Sequence, residues 1–347
     1  MKRNYYFVRT PLQYLNALEA KNNALFKAKE HHLILLSDFH RTISQLEEIV
    51  EKRHWSSINY PWEAFSKSKN NPFFNALNVF KRKLRLDTIL SKINATDSIF
   101  WGNIHTNWFF YLCKKTASTI YILDDGFVTI NTLKKVDLKE IKATLLSSKV
   151  GKIERFILKI NYEIDWDKLY FFTNFNTDSN VQKTIIHDYS FLSQQFKLTN
   201  LTKSIYFIGQ PLIFQRMMKK EVYISLVESI FKYYKAKGLN CFYVPHRSTT
   251  IDYIPNHWQT KTFNKPIESI LFDEEIEKPQ LFASFYSSAL YNIAMMDKNS
   301  LFKFDYWQFD KKDLLNVPIE KINEALRFVQ SQARENVTIR HKSLVDA

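Results

Sequence analysis

The sequence predicts an α/β protein of two domains, each built on a parallel sheet covered by helices on both faces. Two observations lead there. At 347 residues the chain exceeds what one hydrophobic core usually serves, which is about 150 residues per domain. Along it, short apolar runs of strand length alternate with amphipathic stretches of helical period, and that alternation starts twice, at Tyr5 and again at Ser204.

Tyr5-Tyr6-Phe7-Val8 reads as a buried strand, and Pro11 stands where the chain turns into the amphipathic stretch LQYLNALEAKNNALF. Residues 33 to 36 (LILL) repeat the pattern ahead of a helical stretch that contains Gln45 to Val50. The next copies are less regular, but residues 97 to 102 and 119 to 123 read as strands, each ending in a polar or glycine-bearing turn. From Lys134 to Asp165 the chain is lysine-rich and amphipathic, either a solvated helix face packed on the first domain or a helix for a membrane surface. The cluster Phe80-Lys81-Arg82-Lys83-Leu84-Arg85 admits the same two readings, and residues 169 to 172 form another strand. A polar stretch from 195 to 203 separates the domains.

The second series runs through a strand at 204 to 209, a helix from Lys220 to Lys237 and a strand at 240 to 244, then short strands at 267 to 272 and 281 to 285. A last helical pattern, Ile319 to Arg334, is expected to pack back towards the first domain. The domains are therefore 1–198 and 199–318, with 319–347 as the returning helix. No repeat of solenoid period occurs.

Composition narrows the class. Hydrophobic residues make up 45% and charged ones 24%, with 29 Phe and 18 Tyr, which supplies a globular core and argues against disorder. The two cysteines, Cys113 and Cys241, lie in apolar stretches, so they read as core residues of a protein in a reducing compartment. Arg9, Gln13 and Asn16 interrupt the stretch that would be the apolar region of a signal peptide. No apolar run reaches the roughly 18 residues of a conventional membrane span. The expected location is cytoplasmic, with peripheral contact at the inner face of an anionic membrane as an extension. The formal charge of +14, from 49 Lys and Arg against 35 Asp and Glu, suits a polyanionic partner but does not choose among nucleic acid, lipid headgroups and a nucleotide sugar with an anionic acceptor.

In open parallel sheets, ligands bind beyond the carboxyl ends of the strands, so the residues just past each strand are the candidates for chemistry. Here they are polar. The strand at 119 to 123 runs into Asp124-Asp125-Gly126, where two adjacent carboxylates repel when both are ionised and one becomes a usable base. The same triplet also makes an ordinary turn. After the strand at 240 to 244 come Pro245-His246-Arg247, an imidazole and a guanidinium that can meet a phosphate. Ser287-Ser288 stand at a helix start, able either to hold an anion or simply to cap the helix. Gly209-Gln210-Pro211 closes the first strand of the second domain, as a close approach to a nucleotide or as a plain turn. With five glycines in the chain and no Gly-x-Gly-x-x-Gly or Walker pattern, dinucleotide and P-loop fingerprints are excluded. His31-His32 lacks ligand spacing and no metal motif occurs, so no metal and no cofactor are expected.

Taken together, the order and spacing of these motifs resemble the bacterial sialyltransferases of GT-B architecture, most nearly glycosyltransferase family 52, with related motifs in families 80 and 38. The shared features are the acidic-acidic-Gly triplet, the histidine at 246, the serine pair at 287 and 288, and the opening Arg9-Thr10-Pro11-Leu12-Gln13, which resembles the Thr-Pro-Leu-Gln start of family 52. Pro266-Ile267-Glu268-Ser269 is similar to the acidic segment that comes after the histidine. The resemblance spans most of the chain at low similarity.

It implies two Rossmann-like domains with a deep interdomain cleft, and inverting, metal-independent transfer of sialic acid from CMP-sialic acid to a hydroxyl of a lipooligosaccharide, capsule or O-antigen glycan. By resemblance, the base is one of Asp124 and Asp125, with Asp124 favoured and the other supporting it. His246 would meet the leaving phosphate, Ser287 and Ser288 would hold it, Glu268 would bind the ribose, Gly209, Gln210 and Arg247 would belong to the donor side, and Thr10 and Gln13 to the acceptor side. One departure concerns the donor: Arg247 replaces the proline that usually comes after the histidine. CMP-linked Kdo, legionaminic or pseudaminic acid is the alternative donor.

Three rivals stand beside this reading. A CDP-alcohol phosphotransferase or Kdo transferase would use similar domains. A nucleic-acid-binding protein would use the charge and the aromatic residues, but the basic residues are dispersed and no RNP, KH or helix-turn-helix signature occurs, so no nucleic acid is expected as partner. An inactive scaffold subunit would have no need of so many polar strand ends.

Overall fold

The computed structural model describes residues 2–37, 40–62, 71–134, 136–176, 182–197, 201–246, 254–315, 319–332 and 334–344. The chain divides into two compact units, Met1–Leu192 and Ser193–Ala347.

The first unit alternates strands and helices: β1 (Arg3–Val8), α1 (Pro11–Asn22), β2 (Glu30–Leu35), α2 (His40–Ile49), β3 (Ser57–Asn59), α3 (Pro72–Leu90), β4 (Ser98–Trp101), α4 (Asn107–Lys115), β5 (Thr119–Leu123), α5 (Val128–Lys134), α6 (Leu138–Leu146), α7 (Lys149–Leu158), β6 (Leu169–Thr173), β7 (Thr184–Ile186) and α8 (Ser190–Gln194). The strands form one parallel sheet in the order β3-β2-β1-β4-β5-β6-β7. Strands buried on both faces read as unbroken apolar runs, which is why YYFV and LIL were legible. Their aromatic residues stack across the sheet, Tyr6 on Phe100 at 4.4 Å and Phe100 on Tyr121 at 5.0 Å between ring centroids, with Phe26 edge-on above them.

The second unit comprises β8 (Leu201–Ile208), α9 (Lys220–Ala236), β9 (Asn240–Val244), β10 (Lys278–Ser284), α10 (Ser288–Met296), β11 (Lys303–Gln308), α11 (Ile319–Ser331) and β12 (Val337–His341). Its parallel sheet has the order β12-β11-β10-β8-β9. Both orders are doubly wound. In the first sheet the winding reverses between β1 and β4, and in the second between β8 and β10; crevices for ligands open at such reversals, beyond the carboxyl ends.

Two segments differ from the sequence expectation. Residues 267 to 272, expected as a strand, form a 3-10 helix, Ile267–Phe272. Pro266 opens it, the Ser269 hydroxyl donates back to the Pro266 carbonyl at 2.8 Å, and the ion pair of Lys265 with Asp273 at 2.5 Å ties its two ends together. That local closure outcompetes strand pairing for these six residues. The segment 319–347, expected as a returning helix, supplies α11 and the edge strand β12, which pairs with β11 in the second unit. Phe328 of α11 meets Tyr291 of α10 at 5.6 Å between ring centroids.

Candidate functional site

In the first unit, the carboxyl ends of β1, β4 and β5 lie side by side. Thr10 caps α1, its hydroxyl accepting from the Gln13 N–H at 3.3 Å, with Pro11 in the first turn, where its missing N–H costs nothing. Gln13 is buried, and its Oε1 accepts from the Arg9 N–H at 2.8 Å. Gly102, just past β4, gives this side chain room, since a Cβ there would lie 2.0 Å from Gln13 Oε1. Thr10 and Gln13 therefore shape the end of β1 and join it to the end of β4.

The acidic pair splits. Asp124 is fully buried, 0% exposed. Its Oδ2 accepts from the Asn174 backbone N–H at 2.8 Å and lies 3.7 Å from Nε2 of the equally buried His187, while its carbonyl accepts from Asn16 Nδ2 at 3.4 Å. His187 stacks on Phe172 at 4.3 Å. Asp125 is half-buried and reaches the edge of the sheet. Asn103 donates to its Oδ2 at 2.5 Å, and its own N–H donates to the Thr129 hydroxyl at 3.0 Å. Gly126 takes φ 73°, a left-handed value that favours glycine, so the triplet is a turn as well as a carboxylate site.

Asn103 and His105 were not expected from the sequence, although both lie in the turn just past β4, the same position that Asp124 and Asp125 hold past β5. Asn103 Oδ1 accepts from the His105 N–H at 2.6 Å. His105 is exposed as a residue, but its ring rests 3.5 Å from the Thr132 hydroxyl, and lost hydration holds its pKa below the ordinary value against the opposing pull of Asp125 and Glu140. Asn103, His105, Asp125, Thr129 and Thr132 line a cavity of about 10 Å³, room for a single water. An accepting carboxylate beside a neutral imidazole is an arrangement that can take a proton from a hydroxyl.

In the second unit, the sheet order β9-β8-β10 sets three candidate segments in a row. His246 lies past β9, Gly209 and Gln210 past β8, and Ser287 and Ser288 past β10. The Gly209 N–H donates to the Val244 carbonyl at 2.9 Å, the Ser284 hydroxyl to the Ile208 carbonyl at 2.7 Å, and the Tyr286 N–H to Gln210 Oε1 at 3.1 Å. These bonds hold the three ends in register at the reversal of the sheet. The glycine has a packing cause: a Cβ on Gly209 would lie 2.2 Å from Oη of the buried Tyr243. Ser287 stands at the N-cap of α10, yet its side chain makes no capping bond. Thr10, Asn71, Thr106, Asp137 and Ser148 all cap their helices. Glu268 is buried in the 3-10 helix that packs against α10. Arg247 lies outside the described residues. Among the described residues no group of three or more His, Cys, Asp or Glu side chains is placed to hold a metal ion, and no helix is long and apolar enough to cross a membrane.

Two doubly wound parallel sheets, each with its candidate residues at the carboxyl edge, match one fold class throughout their length. A UDP-GlcNAc 2-epimerase of Methanocaldococcus jannaschii, solved with UDP-GlcNAc and UDP, superposes with a TM-score of 0.50 at 11% identity, covering 100% of this chain and 91% of its own. The chain has a GT-B-like fold. A Photobacterium 2,6-sialyltransferase in complex with CMP and lactose is also similar, with a TM-score of 0.46 at 11% identity over 97% of this chain and 78% of that one. MurG of Acinetobacter baumannii has a TM-score of 0.43 at 9% identity over 99% and 87%. No family model and no curated protein sequence matches the chain. Similarity at this level carries the fold alone, so the reaction has to be argued from the residues.

Proposed function

We propose that the chain is an inverting glycosyltransferase that moves a nonulosonic acid, sialic acid first among them, from a CMP-activated donor to a hydroxyl of a glycan acceptor, without a metal ion. The observation that carries this reading is Ser287: it opens α10 at the reversal of the second sheet with its hydroxyl uncommitted to the cap, beside Gln210 and in line with His246. A helix N-terminus with a spare hydroxyl and a neighbouring imidazole suits a nucleotide phosphate. The resemblance to family 52 supplies the nucleotide and the sugar.

In this reading Asp125, rather than the buried Asp124, is the base. It takes the proton of the acceptor hydroxyl as that oxygen attacks the anomeric carbon, on the face opposite the nucleotide. The anomeric C–O bond to CMP breaks, and its electron pair leaves on the phosphate. Ser287, Ser288 and the first N–H groups of α10 receive that charge, and His246 donates a hydrogen bond or proton to it. Glu268, Gly209, Gln210 and Arg247 complete the donor side, and Thr10 and Gln13 set the acceptor side through the end of β1. Asn103 orients the Asp125 carboxylate, and His105 stands beside it as a neutral partner.

The test is incubation of the purified chain with CMP-N-acetylneuraminic acid, a galactoside acceptor and EDTA, with CMP release and product mass as readouts. Transfer that persists in EDTA and is lost in Asp125→Ala and His246→Ala supports the reading. Thermal stabilisation by CMP without turnover points to another CMP-linked ulosonic acid or another acceptor, and no stabilisation by CMP or CTP removes the nucleotide-sugar reading altogether.

A further inference from the structure

Helix α3 is apolar on two sides. Val79, Arg82, Leu86 and Leu90 form its buried face. On the far side Phe73, Leu77, Phe80 and Leu84 recur at helical spacing and are exposed, Phe73 by 71%. Helix α7 packs beside α3 and carries Phe156, exposed by 84%. Phe80 and Phe156 share a shallow groove of about 860 Å³ with Lys152, Arg155 and Lys159. Scattered exposed apolar residues need no explanation, but a continuous stripe of this length over two helices does.

The charge around the stripe is mainly positive. Each of the two helices carries one acidic residue, and both are engaged by neighbouring side chains. Asp87 pairs with Lys83 at 2.6 Å and accepts from the Tyr111 hydroxyl, and Glu154 accepts from Asn107 Nδ2 and Trp108 Nε1, both at 2.9 Å. Lys81, Arg85, Lys149, Lys152, Arg155 and Lys159 are exposed. A second copy docking through the same face would set these cations against one another, and a nucleic acid would leave Leu77 and Leu84 without use.

We propose that the α3–α7 face of the first unit binds the surface of an anionic lipid bilayer. Phe73, Phe80 and Phe156 enter the boundary between headgroups and acyl chains, and the lysine and arginine side chains lay their stems along them while their charged ends meet lipid phosphates.

The test is co-sedimentation of the full chain with vesicles of phosphatidylglycerol and phosphatidylcholine, and with vesicles of phosphatidylcholine alone. Binding to the anionic vesicles is expected, weaker in Phe80→Ser/Phe156→Ser and in Lys152→Glu/Arg155→Glu by about tenfold each, with thermal midpoints unchanged. Absence of binding by the parent chain, equal binding to neutral vesicles, or unaltered binding by both variants overturns the proposal. A concentration-dependent dimer that Phe156→Ser abolishes in sedimentation equilibrium also overturns it, since a second copy would then cover the face.

Discussion

Nε2 of His187 lies 3.7 Å from Oδ2 of Asp124, with both side chains almost wholly out of water. The contact joins the end of β5 to the segment after β7, and Asp124 also fixes Asn174 after β6. Asp124 is therefore a clasp across three strand ends. Asp124→Ala removes the acceptor of the Asn174 N–H and is expected to destabilise the first unit by about 1–3 kcal/mol, read from urea unfolding. An unchanged midpoint would refute the clasp.

Asp125→Asn keeps the size of the side chain and removes the base. The expected result is a fall in kcat of about 10²–10⁴-fold at an unaltered thermal midpoint, in the transfer assay with EDTA. A loss of stability in place of activity would exchange the roles of the two aspartates.

Ser287→Ala should weaken CMP binding by about tenfold or more, because a hydrogen bond to a charged phosphate is worth about 1.5–3 kcal/mol. Since Ser287 does not cap α10, the thermal midpoint of the unliganded chain should not move. Calorimetric titration with CMP distinguishes this from a structural role, which would shift the midpoint and spare the affinity.

Gly102→Ala drives a methyl group into Gln13 and is expected to destabilise by about 1–3 kcal/mol. Gln13→Ala in the same chain should relieve part of that cost, giving a favourable coupling in a double-mutant cycle. Additive effects would mean that the two residues do not meet.

Burial, and after it Lys21 and His32, lowers the His31 pKa from 6.5 to about 4. Its ring lies 3.2 Å from the Tyr6 hydroxyl. Above pH 6.5 the imidazole is neutral in both the folded and unfolded chain. As pH falls from 6.5 towards 4 the unfolded chain takes the proton first, so stability declines through that window. His31→Gln should flatten the loss of thermal midpoint between pH 6.5 and 5, where few carboxylates titrate.

The alternation of strands and helices, the double start and the polar strand ends were all legible in the sequence, because a strand buried on both faces and the turn beyond it are local patterns. Which carboxylate of Asp124-Asp125 meets solvent was not. Neighbours in a turn point different ways, and Asn174 and His187 reach Asp124 only because β6 and β7 pair beyond β5. The residues at 267 to 272 are apolar enough for a strand or a 3-10 helix, and the closure between Lys265 and Asp273 selected the helix. The cluster Phe80 to Arg85 admitted a solvated or a membrane-facing helix, and the spacing of a helix does not say which side its neighbours cover; packing buried Val79 and Leu86 and left Phe73 and Phe80 to water. Amino-acid order was enough to set the elements and the candidate residues at their ends, since these depend on near neighbours in the chain. Burial, pairing and exposure came from the folded arrangement, since they depend on residues far apart in the chain.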